Sequence, residues 1–236
     1  MFPPTHLSVI ERVRSRDADV RRLAFGDLAG GYWRASYHYL RLQWHLTAED
    51  AEDAVQAFFT TAFEKQYLEK FDPAKARFRT FLRTCLDRFA QNMLKAERAA
   101  KRGGGVETLS LDFAGAERDL SSLPHVIGDA ERFFHDETIR ALFTRAVERI
   151  RRDFAAANRS AVMDVFDRHD LAPGPDTTYA TIASALGITV TQVTNHLHQA
   201  RQAFREAALD ELRAISASDE DFQDDARALF GARIAP

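Results

Sequence analysis

Tyr179-Ala-Thr-Ile-Ala-Ser-Ala-Leu-Gly-Ile-Thr-Val-Thr-Gln-Val193 has the pattern of two short helices around a glycine turn. Ile182, Ala183 and Leu186 fall on one face of the first helix. Gly187 suits the tight turn because it tolerates positive φ, and Ile188 would plug the space between the helices. Thr189-Val-Thr-Gln192 predicts a capping box, in which the Thr189 side chain accepts from the Gln192 amide and Gln192 reaches back. Val193, Leu197, Ala200 and Phe204 then recur at i, i+4, i+7 and i+11, an inward stripe. The opposite face carries Thr191, Thr194, Asn195, His198, Arg201, Gln202 and Arg205. Asn and Gln can read adenine bidentately, Thr can meet a thymine methyl, and Arg can hold phosphate. The pattern predicts a helix-turn-helix that reads duplex DNA. A plain helical hairpin with a polar outer face accounts for the stripe, but less easily for small Ala183, turn Gly187 and capped Thr189 at these offsets.

Working outward, nearly every long apolar pattern has helical spacing and no convincing alternating strand appears, so an all-α chain is expected. Residues 7–45 read as two helices, broken near Asp17 and again near Gly30-Gly31. Further helices are expected over 48–68, 76–100, 131–157, 159–169, 178–186 and 190–214. Lys101-Arg-Gly-Gly-Gly-Val breaks the pattern, and residues 103–130 read as a flexible linker. Pro173-Gly-Pro-Asp is a turn. The tail from Ser218 has an N-cap, early acids and a closing Gly231, the signature of a short last helix. The expected layout is a helical domain over 1–102, the linker, a helix-turn-helix domain over 131–215 and a tail helix within 216–236.

Charge is partitioned along the front half. Residues 47–72 hold seven acids (Glu49, Asp50, Glu52, Asp53, Glu64, Glu69, Asp72) against two lysines. Residues 74–102 hold nine bases (Lys75, Arg77, Arg79, Arg83, Arg88, Lys95, Arg98, Lys101, Arg102) against Asp87 and Glu97. Adjacent segments of opposite sign give two faces of opposite potential. Thr47 caps the acidic helix, with negative charge in its first turn. Ala51, Val55, Phe58 and Ala62 form its inward stripe, and Phe59 and Phe63 should be partly exposed beside the acids, as on a protein-binding surface. In the basic helix Phe78, Leu82, Cys85, Phe89 and Met93 form the buried stripe. Arg79, Arg88, Asn92 and Lys95 flank it, while Arg83, Asp87, Gln91 and Arg98 point outward, giving a surface that could follow a nucleic-acid backbone.

Composition excludes several classes. With 236 residues, 45% hydrophobic and 28% charged, a folded soluble protein is expected. No run approaches the ~20 apolar residues of a membrane span, and Met1-Phe-Pro-Pro-Thr-His lacks the regions of a secretory signal. A lone Cys85 forms no internal disulfide, which fits a cytoplasmic location. A net charge of −3 means that any DNA-binding charge must be local. His196 and His198, at i and i+2, diverge on a helix, and the eight histidines show no metal-ligand spacing. Gly103-Gly-Gly lacks the lysine and hydroxyl of a phosphate loop, and no carboxylate pair stands out as acid and base. No enzyme, cofactor or metal is expected.

Asp50-Ala-Glu-Asp-Ala-Val-Gln56, Phe71-Asp-Pro-Ala-Lys-Ala-Arg-Phe-Arg-Thr-Phe-Leu82, Tyr179-Ala-Thr-Ile-Ala-Ser-Ala-Leu-Gly-Ile188 and His198-Gln-Ala-Arg201 together resemble the extracytoplasmic-function group of bacterial sigma-70 family factors. Lys101-Arg-Gly-Gly-Gly, Leu109-Ser-Leu-Asp and the tail Ala228-Leu-Phe resemble a subgroup with an extended C-terminus. The resemblance covers most of the chain. It implies a promoter-specificity subunit of RNA polymerase, without catalytic group, cofactor, small-molecule substrate or membrane segment. The acidic helix would dock on the β′ clamp helices through Asp50, Glu52, Asp53, Gln56 and Phe59. The basic helix would grip and open the −10 element through Arg77, Arg79, Arg83, Arg88, Asn92, Lys95 and Arg98. The helix-turn-helix domain would meet the β flap and read the −35 element through Thr191, Thr194, Asn195, His198, Arg201 and Arg205. An anti-sigma factor or a Ser/Thr kinase would be a candidate regulator.

Three positions depart from the family pattern. Ala57 stands where an acid usually follows the docking Gln, Thr194 and His196 stand where Lys or Arg is frequent, and Met93 and Leu94 stand where a tryptophan is common in the subgroup. Ala57 leaves the docking face one charge short. Thr60 lies on that face one turn later, so phosphorylation there would add about −1.5 to −2 charge; Thr61 is less well placed. The competing reading is a stand-alone helix-turn-helix regulator that binds operator DNA without polymerase.

Overall fold

This computed structural model describes residues 9–97, 111–120, 123 and 128–231. Every regular element in them is a helix, as the apolar spacing predicts. No helix among them is long and apolar enough to cross a membrane. The chain divides into two compact units, one of residues 1–141 and 212–236 and the other of residues 142–211.

The first unit contains α1 (Val9–Val13), α2 (Ala18–Gln43), α3 (Ala48–Glu64), α4 (Phe78–Glu97) and α5 (Phe113–Leu120). It also takes in the start of α6 (Ala130–Ala156), the end of α9 (Val190–Ile215) and α10 (Asp219–Phe230). Asp17 caps α2, accepting from the amides of Asp19 and Val20. The break expected at Gly30-Gly31 does not occur: α2 is continuous through both glycines. Two interior glycines cost roughly 1 kcal/mol each relative to alanine. Leu28, Tyr32, Tyr37, Tyr39 and Leu40 are buried around them, and each such side chain contributes about 1.5–3 kcal/mol, so burial outweighs propensity.

The six consecutive positions Ala35 to Leu40 are all buried, so α2 is enclosed on every side there. Its polar groups are satisfied internally. Ser36 donates to the Tyr32 carbonyl. His38 sets Nδ1 2.7 Å from Glu137 Oε2 and Nε2 2.9 Å from the Ala116 carbonyl. Phe134 stacks on Tyr32 and meets Tyr39 edge-on.

The segment expected to be a flexible linker contains α5, and α5 is fastened to α2. Phe113 packs on Trp33 and Tyr37. Arg41 makes a two-pronged pair with Glu117 at 3.0 and 2.6 Å, and Tyr37 donates to the same carboxylate. Arg34 pairs with Asp119. The expected domain boundaries at 102 and 131 therefore move: α5 and the first three turns of α6 belong with the first unit because they complete its core. The Lys101-Arg-Gly-Gly-Gly motif lies outside the described residues.

The second unit holds the rest of α6, α7 (Ser160–Phe166), a wide π-helical turn (Asp167–Leu171), α8 (Tyr179–Leu186) and α9 as far as Glu211. Its core is Val165, Ile182, Ala183, Val193 and Leu197, with Tyr179, Leu186 and Ile188 packed against it. Phe204 meets Phe143 and Phe166 at ring separations of 5.4 and 5.9 Å.

Candidate nucleic-acid and protein interfaces

The turn between α8 and α9 follows the chemistry its residues predict. Gly187 ends α8 in the left-handed region at φ 65°, where a side chain is strained. The Thr189 hydroxyl oxygen accepts from the Gln192 amide at 3.2 Å, and Gln192 Oε1 accepts from the Thr189 amide at 2.8 Å. These bonds satisfy two of the open amides at the start of α9. Val193, Leu197 and Ala200 face inward. Thr191, Thr194, Asn195 and His198 are exposed.

Two arginines assigned to that face behave differently. Arg201 grips Asp170 with Nε at 2.7 Å and Nη2 at 2.8 Å, so it fastens α9 to the wide turn. Arg205 is half-buried. The Arg201 hydrogen bonds, aided by His169, hold the Asp170 carboxyl below the usual aspartate value of about 3.9. A depressed native value means that folding releases a proton. The resulting stabilisation is present above the unfolded value and is lost as pH falls through the lower, folded one. Urea titrations followed by the methyl signals of Val193 and Leu197 should show Arg201→Ala less stable than the parent at neutral pH. The gap should close once pH drops below the aspartate range.

α3 begins as its sequence predicts, with Thr47 accepting from the Asp50 amide. Ala51, Val55, Phe58 and Ala62 are buried. Asp50 and Asp53 are exposed and Glu52 and Gln56 partly so. Phe59 does not reach this surface: it is fully buried, edge-on to Phe58 and Phe25. A ring at that angle on α3 finds α2 beside it rather than water. Phe63 is the partly exposed aromatic, resting on Phe25. Ala57 and Thr60 are half-buried.

The buried stripe of α4 is rotated from the expected one. Phe78, Leu82, Leu86 and Ala90 line the core, whereas Cys85, Phe89 and Met93 are only partly buried. Burial pushes the Cys85 thiol up, against the opposing effect of Arg88, so the cysteine is no activated nucleophile.

Of the basic residues assigned to α4, three are already engaged. Arg83 pairs with Asp87 at 2.8 Å and Glu131 at 3.7 Å, and Asp87 also accepts from Tyr39 and Trp44. Desolvation and the Asp87 charge raise the Tyr39 hydroxyl to about 12, so it remains a donor. Arg79 lies 2.6 Å from Asp225, and Arg77 reaches Asp224 at 3.2 Å and Asp225 at 3.3 Å. Arg98 lies outside the described residues. What remains outward on α4 is Arg88, Asn92 and Lys95, at i, i+4 and i+7 on one face.

Arg88 and Asn92 border a groove of about 430 Å³ with Tyr67, Lys70, Phe81 and Phe89, which no local pattern of residues announces. Gln66 makes it by leaving α3 in the left-handed region at φ 53°, at a cost of about 1–2 kcal/mol for a residue with a side chain. The 3₁₀ turn that follows, Tyr67–Lys70, sets the Lys70 ammonium 5.9 Å from the Tyr67 ring centre. Aromatic side chains between cations suit an unstacked base with its phosphate. Among the described residues no group of three or more His, Cys, Asp and Glu is arranged to hold a metal ion.

Comparison of the chain with protein-family models, curated proteins and solved structures returned no match.

Proposed function

We propose that the chain is a promoter-specificity factor of the extracytoplasmic-function sigma kind, acting in the cytoplasm with core RNA polymerase. The observation that carries this reading is the assignment of the acidic face of α3 and the polar face of α9 to different compact units, each exposed to an outside molecule. Asp50, Glu52, Asp53 and Gln56 dock on the β′ clamp. Arg88, Asn92 and Lys95, with the Tyr67–Phe89 groove, take the opened −10 strand. In the second unit α8, Gly187 and α9 act as a helix-turn-helix, in which Thr191, Thr194, Asn195 and His198 read the −35 element. The same unit meets the β flap. The chain has no catalytic role; the polymerase performs the chemistry.

The docking face is weaker than its cap suggests. Ala57 contributes no charge, and Thr60 sits one turn further on. A Ser/Thr kinase acting on Thr60 would supply the missing charge, while an anti-sigma factor would instead cover α3.

The test is capture of purified core polymerase by the immobilised chain. Reversing Asp50 and Asp53 to lysine should abolish capture, and Thr60→Glu should strengthen it relative to Thr60→Ala. Capture that ignores the charge reversal sinks the docking assignment, and equal capture by the two Thr60 variants removes the kinase. Tight sequence-specific duplex binding by the chain alone would favour the stand-alone regulator.

A further inference from the structure

Arg77, one residue before α4, and Arg79, in its first turn, open the basic segment, yet both guanidinium groups are engaged by the chain's own last helix. Asp225 accepts from Arg79 at 2.6 Å and from Arg77 at 3.3 Å, and Asp224 takes the second nitrogen of Arg77 at 3.2 Å. α10 carries Asp219, Glu220, Asp221, Asp224 and Asp225 against Arg227 alone. Two carboxylates one residue apart offer these arginines the oxygens that nucleic-acid phosphates otherwise present. We propose that α10 is an internal cover, holding the Arg77–Arg79 surface closed in the free chain and yielding it to nucleic acid when the helix lifts. This rests on the reading of α4 as the helix that grips promoter DNA.

The seam is built to hold and also to release. It holds through Phe222 and Ala226, both buried, with the Arg213 guanidinium 3.9 Å above the Phe222 ring, and through the Ser218 cap. It is nevertheless incompletely satisfied. A cavity of about 20 Å³, room for one water, is bordered by Tyr32, Arg79, His135, Asp221 and Asp225. His135 Nδ1 has no hydrogen-bond partner among the described residues, and burial raises the Asp221 carboxyl while lowering the His135 imidazole. Polar groups buried at this seam regain full hydration when the helix departs.

The experiment is fluorescence anisotropy of a labelled mixed-sequence single-stranded oligonucleotide at low salt, using the full chain. Asp224→Asn with Asp225→Asn removes the charges with little change of shape. This variant should bind about tenfold more tightly than the parent, and adding Arg77→Ala and Arg79→Ala should erase the gain. Amide exchange of α10 should quicken in the same variant. If the Asn variant binds like the parent while Arg88→Ala weakens both, α4 grips nucleic acid and the cover is refuted. If Arg88→Ala changes nothing in either chain, the DNA-gripping assignment itself fails and takes the cover with it.

Discussion

Replacing His38 by alanine should lower the stability of the first unit by about 1–3 kcal/mol, the cost of leaving buried hydrogen-bonding groups without their partner. His38 is fully buried and Glu137 almost so. Deleting the imidazole takes one partner from the Ala116 carbonyl and one from the Glu137 carboxyl, which keeps Arg140 at 2.9 Å among the described residues. Trp33 and Trp44 are the two tryptophans of the chain and both lie in the first unit, so their fluorescence in urea reports that unit alone. Adding Glu137→Leu to His38→Ala should recover part of the loss, because an apolar side chain leaves no polar atom in need of a partner. A loss below about 1 kcal/mol for His38→Ala would mean that the buried pair does not hold α2, α5 and α6 together.

Removing Arg88 and Lys95 together should flatten the salt dependence of promoter binding by the assembled polymerase. Each lost phosphate contact lowers the slope of log K against log salt by about 0.7 on a single strand and about 0.9 on a duplex. The double alanine variant should therefore lose between about 1.4 and 1.8 of slope. Arg83→Ala is the informative comparison. Its guanidinium is held by Asp87 and Glu131, so its loss should reduce the stability of the first unit and leave the slope unchanged. A slope that responds to Arg83 and ignores Arg88 and Lys95 would place the DNA on another face of α4.

The features legible in the sequence were those set within a few residues. The Thr189 cap, the Gly187 turn and the Val193–Leu197–Ala200 stripe depend on local chemistry and helical period, and Thr47 and Ser218 act as caps for the same reason. The losses came where distant segments decide. α4 offers Cys85 and Phe89 as plausibly as Leu86 and Ala90, because apolar residues sit on both sides of the helix. Ala90 takes the core position, and Phe89 meets Phe58 at the flank at 5.6 Å. Phe59 looks surface-bound from α3 alone and is buried by α2. Ser36, His38, Glu137 and Thr138 are buried polar residues that no hydrophobic period can announce. Arg77, Arg79 and Arg83 count towards a basic face in sequence, and are neutralised in space by Asp225, Asp224, Asp87 and Glu131.

We propose that this chain directs core RNA polymerase to promoters. Run-off transcription from a library of promoter fragments tests it most directly, with core enzyme alone, with the parent chain, and with the Asp224→Asn and Asp225→Asn chain. Discrete transcripts that need both core enzyme and this chain, from fragments sharing −35 and −10 sequences, are the expected result. A transcript pattern identical to that of core enzyme alone, for the parent and the variant alike, would contradict it.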